Sequence, residues 1–235
     1  MKQDEKPLHD WERVESDIES IAHYYDAAAS LISFGMMDRW REKAASETQD
    51  WMRVLEIGSG PGSMTRHLRG REIVMLEPNE GLLNFSKGVL GGQRYIRVRG
   101  VAEHLPFADE SFDIAISGFS FKNLIDRKAA LNEVRRVLKS GCKFVIVDIA
   151  EPDTALRKRI MHLYMDRVLP AVAMLSVPRE VKRRWGRNPW KHLSSSYMNL
   201  GKPEELVRSA LSAGFSDAKF RYLMTHGVAI VTAMK

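Results

Sequence analysis

The sequence predicts an α/β fold: a seven-stranded, mostly parallel sheet whose last strand is antiparallel, with helices on both faces. Three observations predict it. From Met52 onward, short apolar runs alternate with amphipathic helical segments, the pattern of βαβ units around a parallel sheet. The first apolar run enters a turn that carries three closely spaced glycines. The chain then closes on a helix followed by two strands, which a plain dinucleotide-binding half lacks.

Residues 1–45 are expected to form an N-terminal helical cap, with residues 11–45 helical and a break around Ser33-Phe34-Gly35. Residues 46–150 make the core. Strands are expected near 52–57, 72–76, 94–99, 112–117 and 142–149, and helices near 62–70, 79–88 and 126–139. The last of these helices carries a core-facing stripe of Ala129, Leu131, Val134, Val137 and Leu138 and is expected to stop at Ser140-Gly141. Residues 151–200 break the alternation as a partly helical insertion, either a lid or a helix packed on the core. In residues 201–235, Lys202-Pro203-Glu204-Glu205 opens a helix that ends at Ala213-Gly214, and strands follow near 216–223 and 226–234. No internal repeat is visible, and 235 residues suit one domain.

A composition of 44% hydrophobic and 28% charged residues is that of a globular protein. One Cys excludes a disulfide framework, and the seven His and that Cys show no metal-ligand spacing, so no metal is expected. The stretch from Met1 to Ser20 is polar and partly acidic, unlike a signal peptide, and no uninterrupted apolar run is long enough to cross a bilayer. A cytoplasmic protein is expected. The net charge of +6 permits an anionic partner without requiring one. The densest basic run, residues 179–191 (REVKRRWGRNPWK), is either a solvated helix or a peripheral contact with anionic lipid headgroups, beside which Trp and basic residues are favoured together. No RNA-binding module accompanies it, so nucleic acid is not expected as a partner.

The strongest local signal is Val54-Leu55-Glu56-Ile57-Gly58-Ser59-Gly60-Pro61-Gly62, with a helix expected to open at Ser63. Glycines let the backbone turn sharply and approach a ligand, and a helix N-terminus adds free N–H donors. The NAD fingerprint is GxGxxG, whereas the spacing here is GxGxG. An acid two residues before the first glycine, Glu56, suits a cationic ligand such as a sulfonium with its amino group and is poorly placed beside a pyrophosphate. The next strand ends in Met75-Leu76-Glu77-Pro78, where a carboxylate can accept both hydroxyls of a ribose; this second acid is shared by NAD enzymes, and a helix N-terminal acid is its plainer reading.

Downstream, Ala102-Glu103-His104-Leu105-Pro106-Phe107 follows the third strand, and Asp109-Glu110-Ser111-Phe112-Asp113 leads into the fourth. In this order and spacing, the segments from about Met52 to Ile149 resemble class I S-adenosylmethionine-dependent methyltransferases, which have a Rossmann-like fold. The resemblance implies that S-adenosyl-L-methionine is the cofactor. It places Glu56, Gly58, Ser59, Gly60 and Gly62 at the methionine end, Glu77 and Pro78 at the ribose, Val101, Ala102 and Glu103 at the adenine, and Ser117 facing the bound cofactor. The family usually has Asp where this chain has Val101, which cannot accept a hydrogen bond from the adenine amino group. Glu103 or backbone and apolar contacts would then serve.

Further segments resemble the menaquinone/ubiquinone biosynthesis C-methyltransferases: Tyr25-Asp26, Ser33-Phe34-Gly35, Trp40-Arg41, Phe121-Lys122-Asn123-Leu124, Arg136-Val137-Leu138-Lys139, Tyr164 with Val168-Leu169-Pro170, and Ala213-Gly214-Phe215 through Thr225 to Ile230. This resemblance covers nearly the whole chain and implies methylation of a quinol ring carbon. Departures fall at Ala28-Ala29 (Met-Asn in the family), Lys122 (Arg, in a loop one residue shorter), Ser140-Gly141-Cys142 (Pro-Gly-Gly) and Asp148 (Glu). Arg and Lys differ in geometry and hydrogen bonding, so the change at Lys122 bears on chemistry. Ring methylation needs alignment, exclusion of water and a ring hydroxyl that gives up its proton. Tyr25 as a positioner and Lys122 as the cation beside a phenolate are the catalytic candidates. Simple packing of Tyr25 and a surface position for Lys122 are the plainer readings. His162 and His226 are weaker base candidates. Another small-molecule acceptor, RNA, a cofactor-binding protein without catalysis, and an oxidoreductase stay open as alternatives. Arsenic methylation does not fit a chain with one Cys.

Overall fold

The protein, seen here as a computed structural model, is described for residues 22, 24, 26–27, 29–91, 95–175, 179, 201–223 and 226–235. Seven strands, β1 (Arg53–Ile57), β2 (Glu72–Glu77), β3 (Tyr95–Arg99), β4 (Phe112–Gly118), β5 (Leu138–Ile149), β6 (Asp217–Leu223) and β7 (Val228–Met234), form one sheet in the order β3-β2-β1-β4-β5-β7-β6. The first five run parallel, and β7 is antiparallel to both β5 and β6. The chain therefore leaves β1 towards β2 on one side and returns through β4 on the other. In such sheets ligands bind at this reversal, beyond the carboxyl ends of the strands.

Both faces are covered, as the near-continuous apolar runs of the central strands require. On one face Leu55, Ile57, Leu76, Ala115 and Phe144 pack with Leu131, Val134 and Val137 of α3 (Arg127–Val137) and with Leu206 and Ala210 of α6 (Pro203–Ser212). On the other, Val54, Ile73, Ile114, Ile116, Val145 and Val147 pack with Ala44 and Ala45 of α1 (Met36–Ala45) and with Met64 and Leu68. Side chains alternate along a strand, so Glu56 lies on the α1 face with Val54. The remaining core helix, α2 (Glu80–Leu90), is capped by Asn79, whose side chain accepts the Leu82 N–H at 2.9 Å.

Three expectations change. No helix spans 62–70; there is one 3₁₀ turn, Thr65–His67, and Leu68 is already extended (φ −75°, ψ 141°). The β-branched Thr65 is a poor helix former, and its hydroxyl is drawn onto Glu56 of β1 instead. The helix expected to run to Ser140-Gly141 ends at Val137, because Leu138 pairs with Phe112 and begins β5. Its buried alanine is Ala130, with Ala129 half-buried.

The break at Ser33-Phe34-Gly35 is present: described residues from 22 to 32 are helical, Phe34 and Gly35 take positive φ (52° and 75°), and α1 follows. Beyond β5 run α4 (Ala155–Leu163), a π turn (Tyr164–Val168) and α5 (Leu169–Leu175). Met165 and Leu169 of this segment pack with Ile32 and with Ile149 at the end of β5, and the Tyr164 hydroxyl donates to Ile32 O. The two segments that flank the core thus meet at the carboxyl edge of the sheet. Among the described residues, no helix is long and apolar enough to cross a membrane.

Candidate active site

The site begins with the turn after β1. The Gly58 and Ser59 N–H groups both donate to Leu76 O, at 2.8 and 3.1 Å, which holds the turn against the end of β2. Gly58 has φ 66°, and a Cβ there would lie 2.6 Å from both Cβ and Oγ of Ser120, so only glycine fits. Gly60 has φ 54° and nothing within 4 Å of the position a Cβ would take, so the backbone there borders open space. Gly62 is buried, and a Cβ on it would meet Leu90.

Two carboxylates border the turn. Glu77, at the end of β2, accepts the Gly60 N–H at 2.9 Å through Oε2 and the Asn79 N–H at 3.1 Å through Oε1. It thus fixes the turn while lying beside Gly60, and the half-buried Pro78 carries the chain on into α2. Glu56 is 1% exposed and accepts the Thr65 hydroxyl at 2.6 Å. Burial pushes its carboxyl up to about 8; the Thr65 hydrogen bond and the positive field of Arg41 oppose that rise, and Glu77 adds to it. Two hydroxyls of the turn, Ser59 Oγ and Ser63 Oγ, are buried without a hydrogen-bond partner. Buried polar groups are nearly always bonded, so such orphans mark a place where a ligand completes the set. Open space at Gly60, orphaned hydroxyls and two carboxylates fit a nucleoside with a cationic end. A pyrophosphate would meet the two carboxylates without a neutralising cation.

The other residues predicted for the cofactor lie on the same edge. Val101 is 45% exposed, and Ala102 beside it is buried. Glu103 Oε1 accepts the N–H groups of Ile125 (2.9 Å) and Asp126 (3.2 Å), so this carboxylate also holds the loop that enters α3. Ser117, at the end of β4, is fully buried, and its hydroxyl lies 2.8 Å from that of Ser120, which donates to Ile57 O at 2.8 Å.

Lys122 is no surface charge. It is 5% exposed; its ammonium donates to Asp148 Oδ1 at 2.9 Å and Phe119 O at 2.5 Å, while its own N–H donates to Asp148 Oδ2 at 3.1 Å. Two departures from the family pattern, Lys122 and Asp148, are therefore partners in one buried ion pair. The pair braces the loop after β4, where Phe119 holds a positive φ of 59° and lies against Trp40. Tyr25 and Ala28 lie outside the described residues, as do residues 180–191 of the basic run; Arg179 is exposed. His162 is half-buried on α4, and His226 Nδ1 sits 3.2 Å from Asp153 Oδ2.

Several residues escaped sequence reasoning. Ser63, Thr65 and Ser120 act through local hydroxyl contacts that no spacing announces. A four-membered ion network joins the cap to the 3₁₀ turn: Arg41, 3% exposed, bonds Asp26 (3.2 Å) and Asp38 (3.0 Å), and Arg66 bonds the same two carboxylates at 2.8 Å each. One signal was available. Asp26 and Arg41 both stand in the N-terminal stretches that resemble the quinone methyltransferases.

Fold and turn together define a class I S-adenosylmethionine-dependent methyltransferase. A crystal structure of a methyltransferase of this kind from Thermotoga maritima aligns with a TM-score of 0.65 at 18% identity, covering 94% of this chain and 99% of that one. The chain belongs to the ubiE/COQ5 methyltransferase family, whose model matches residues 6–235. It is 30% identical over 231 residues to the ubiquinone/menaquinone biosynthesis C-methyltransferase UbiE of Geobacter sulfurreducens, covering 94% of this chain and 87% of that protein. The protein of the same name from a Shewanella species is 28% identical over 222 residues, covering 89% and 84%.

Proposed function

We propose that this enzyme methylates a ring carbon of a demethylmenaquinol or a related quinol precursor. The observation that carries the reading is the extent of the family match. It runs over residues 6–235 and so takes in the cap, the segment after β5 and the C-terminal hairpin as well as the cofactor-binding core. Relatives matched at that extent are named as quinone-biosynthesis C-methyltransferases.

In this reading Glu56, Gly58, Ser59, Gly60 and Gly62 hold the methionine end of S-adenosyl-L-methionine, Glu77 and Pro78 the ribose, and Val101, Ala102 and Glu103 the adenine, with Ser117 closing the floor through Ser120. Bound there, the cofactor supplies an electrophilic methyl group on sulfur and a neutral thioether as leaving group. The protein's remaining task is alignment and exclusion of water. Tyr25 positions the acceptor, and the buried Lys122 keeps the loop after β4 in shape through Asp148. Residues 1–45 and 151–200 serve as cap and lid, and the apolar meeting of Ile32, Met165 and Leu169 suits a greasy acceptor. The basic run 179–191 makes a peripheral contact with the membrane that stores a prenylated quinol.

The test is transfer of a labelled methyl group to a short-chain demethylmenaquinol, with RNA and simple amines as competing acceptors and mass spectrometry to locate the new methyl. Label on the quinol ring carbon is the expected result. A chain that binds S-adenosylmethionine and leaves the quinol unlabelled refutes the acceptor.

A further inference from the structure

β7 runs antiparallel to β5 with Val228 opposite Ile149, and the Ala150 N–H donates to Gly227 O at 3.0 Å. The hairpin between β6 and β7 is thereby fixed at the carboxyl edge of the sheet. The glycine turn after β1 and the Lys122 loop after β4 stand on that same edge. His226 sits in this hairpin, four things mark it, and none of them belongs to the cofactor set.

Its backbone has φ 60°, the left-handed region that few residues besides Gly, Asn, Asp and His adopt. Its ring stacks on Tyr222 with centroids 4.5 Å apart and planes 22° apart. Tyr222 is itself tied down, its hydroxyl donating to Glu151 O at 3.3 Å. Finally, His226 Nδ1 is shielded from solvent and lies 3.2 Å from Asp153 Oδ2, close enough to feel that charge but without hydrogen-bond geometry, while the side chain as a whole is 38% exposed. Asp153 Oδ1 in turn accepts from Arg157 at 2.8 Å, and that bond holds its carboxyl below the ordinary value, so the carboxylate is charged at neutral pH.

We propose, on the quinol reading above, that His226 is the general base of the reaction, with Asp153 as its positioning residue. The Asp153 charge beside Nδ1 favours the tautomer with the proton on that nitrogen, a small rotation of the ring would close the hydrogen bond, and the Nε2 lone pair is left to act. The acceptor's O–H bond breaks and an N–H bond forms at Nε2. The electron pair stays on oxygen and delocalises to the ring carbon that takes the methyl. When that carbon releases its hydrogen to water, the ring oxygen is again a phenolate, and it recovers its proton from Nε2. One proton leaves to solvent per methyl transferred, and His226 ends as it began. Among the described residues, the charged groups that act on Tyr222 beneath the ring are Glu204, Asp153 and Glu151, the last paired with Lys158 at 2.6 Å.

The test uses the full chain and the variants His226→Gly and His226→Asn, both compatible with a positive φ, assayed with the short-chain quinol. We expect kcat to fall on the order of 10²–10⁴-fold, the scale of a lost general base. Binding of S-adenosylmethionine by calorimetry should be unchanged, the acid limb of the kcat profile should vanish, and added imidazole should restore turnover to His226→Gly. Asp153→Asn should lower kcat with the same unchanged cofactor binding. A His226→Gly chain that keeps the wild-type rate and pH profile, or loses rate with no response to imidazole, overturns the base assignment alone. A wild type that binds S-adenosylmethionine and never methylates a quinol overturns the acceptor reading, and this assignment with it.

Discussion

Replacing Glu56 by Gln separates what this carboxyl costs the fold from what it does for the ligand. Burial raises it from the ordinary 4.5 to about 8. That span is about 3.5 decades of proton affinity, worth about 5 kcal/mol at 1.36 kcal/mol per decade. The sign follows from linkage. Below pH 4.5 the carboxyl is neutral in both folded and unfolded chains, and the fold is at full stability. Between 4.5 and about 8 the unfolded chain ionises first, so stability is lost as pH rises, and above that range the loss is constant. Denaturant unfolding of the ligand-free protein from pH 5 to 8.5 should therefore fall about 3–5 kcal/mol further in wild type than in Glu56→Gln. The same carboxyl predicts a binding signature. At pH 7 it is about nine-tenths protonated in the free protein, and a sulfonium or ammonium placed beside it favours the anion. Calorimetry of S-adenosylmethionine in phosphate and in Tris should thus report release of up to about 0.9 proton that Glu56→Gln does not release. Equal proton counts in the two proteins, with parallel stability curves, would refute the reasoning.

Gly58→Ala forces a Cβ against Ser120 and puts alanine at φ 66°, so thermal unfolding should show a loss of about 2–4 kcal/mol. Adding Ser120→Gly should recover the part due to the clash and leave the backbone part. Lys122→Met leaves Asp148 as an uncompensated buried charge and should cost about 3–5 kcal/mol in denaturant unfolding. Lys122→Met with Asp148→Asn should cost clearly less; equal costs would mean that loop packing and not the orphaned carboxylate sets the penalty.

The central strands β1, β2 and β4 were legible because each is a short apolar run between turn residues, buried on both faces, whereas the edge strands β3 and β6 alternate polar and apolar residues. The glycine turn was legible for a related reason: its residues are consecutive and their role is set by backbone geometry. Where the reading failed, a distant partner overrode the local pattern. Thr65 follows Gly62 at helical spacing, yet its hydroxyl is taken by Glu56 nine residues earlier. Leu138 continues the apolar stripe of α3, yet it pairs with Phe112 and turns the chain into β5. The ion pairs of the cap and the loops were harder still, since Lys122–Asp148, Asp26–Arg41 and Asp153–His226 join residues from 15 to 73 positions apart.

The Lys122–Asp148 pair gathers two of the departures from the family pattern into one contact. The resemblance implies Arg and Glu at these positions and a loop shorter by one residue. The backbone of this loop comes so close to β5 that the Lys122 N–H itself donates to Asp148 at 3.1 Å. The ammonium also donates to Phe119 O, which ties the start of the loop to its own Lys122. Lys122 and Asp148 therefore act as one unit that braces the loop against β5. The braced loop carries Phe119 at a positive φ against Trp40, at the point where the cap meets the sheet.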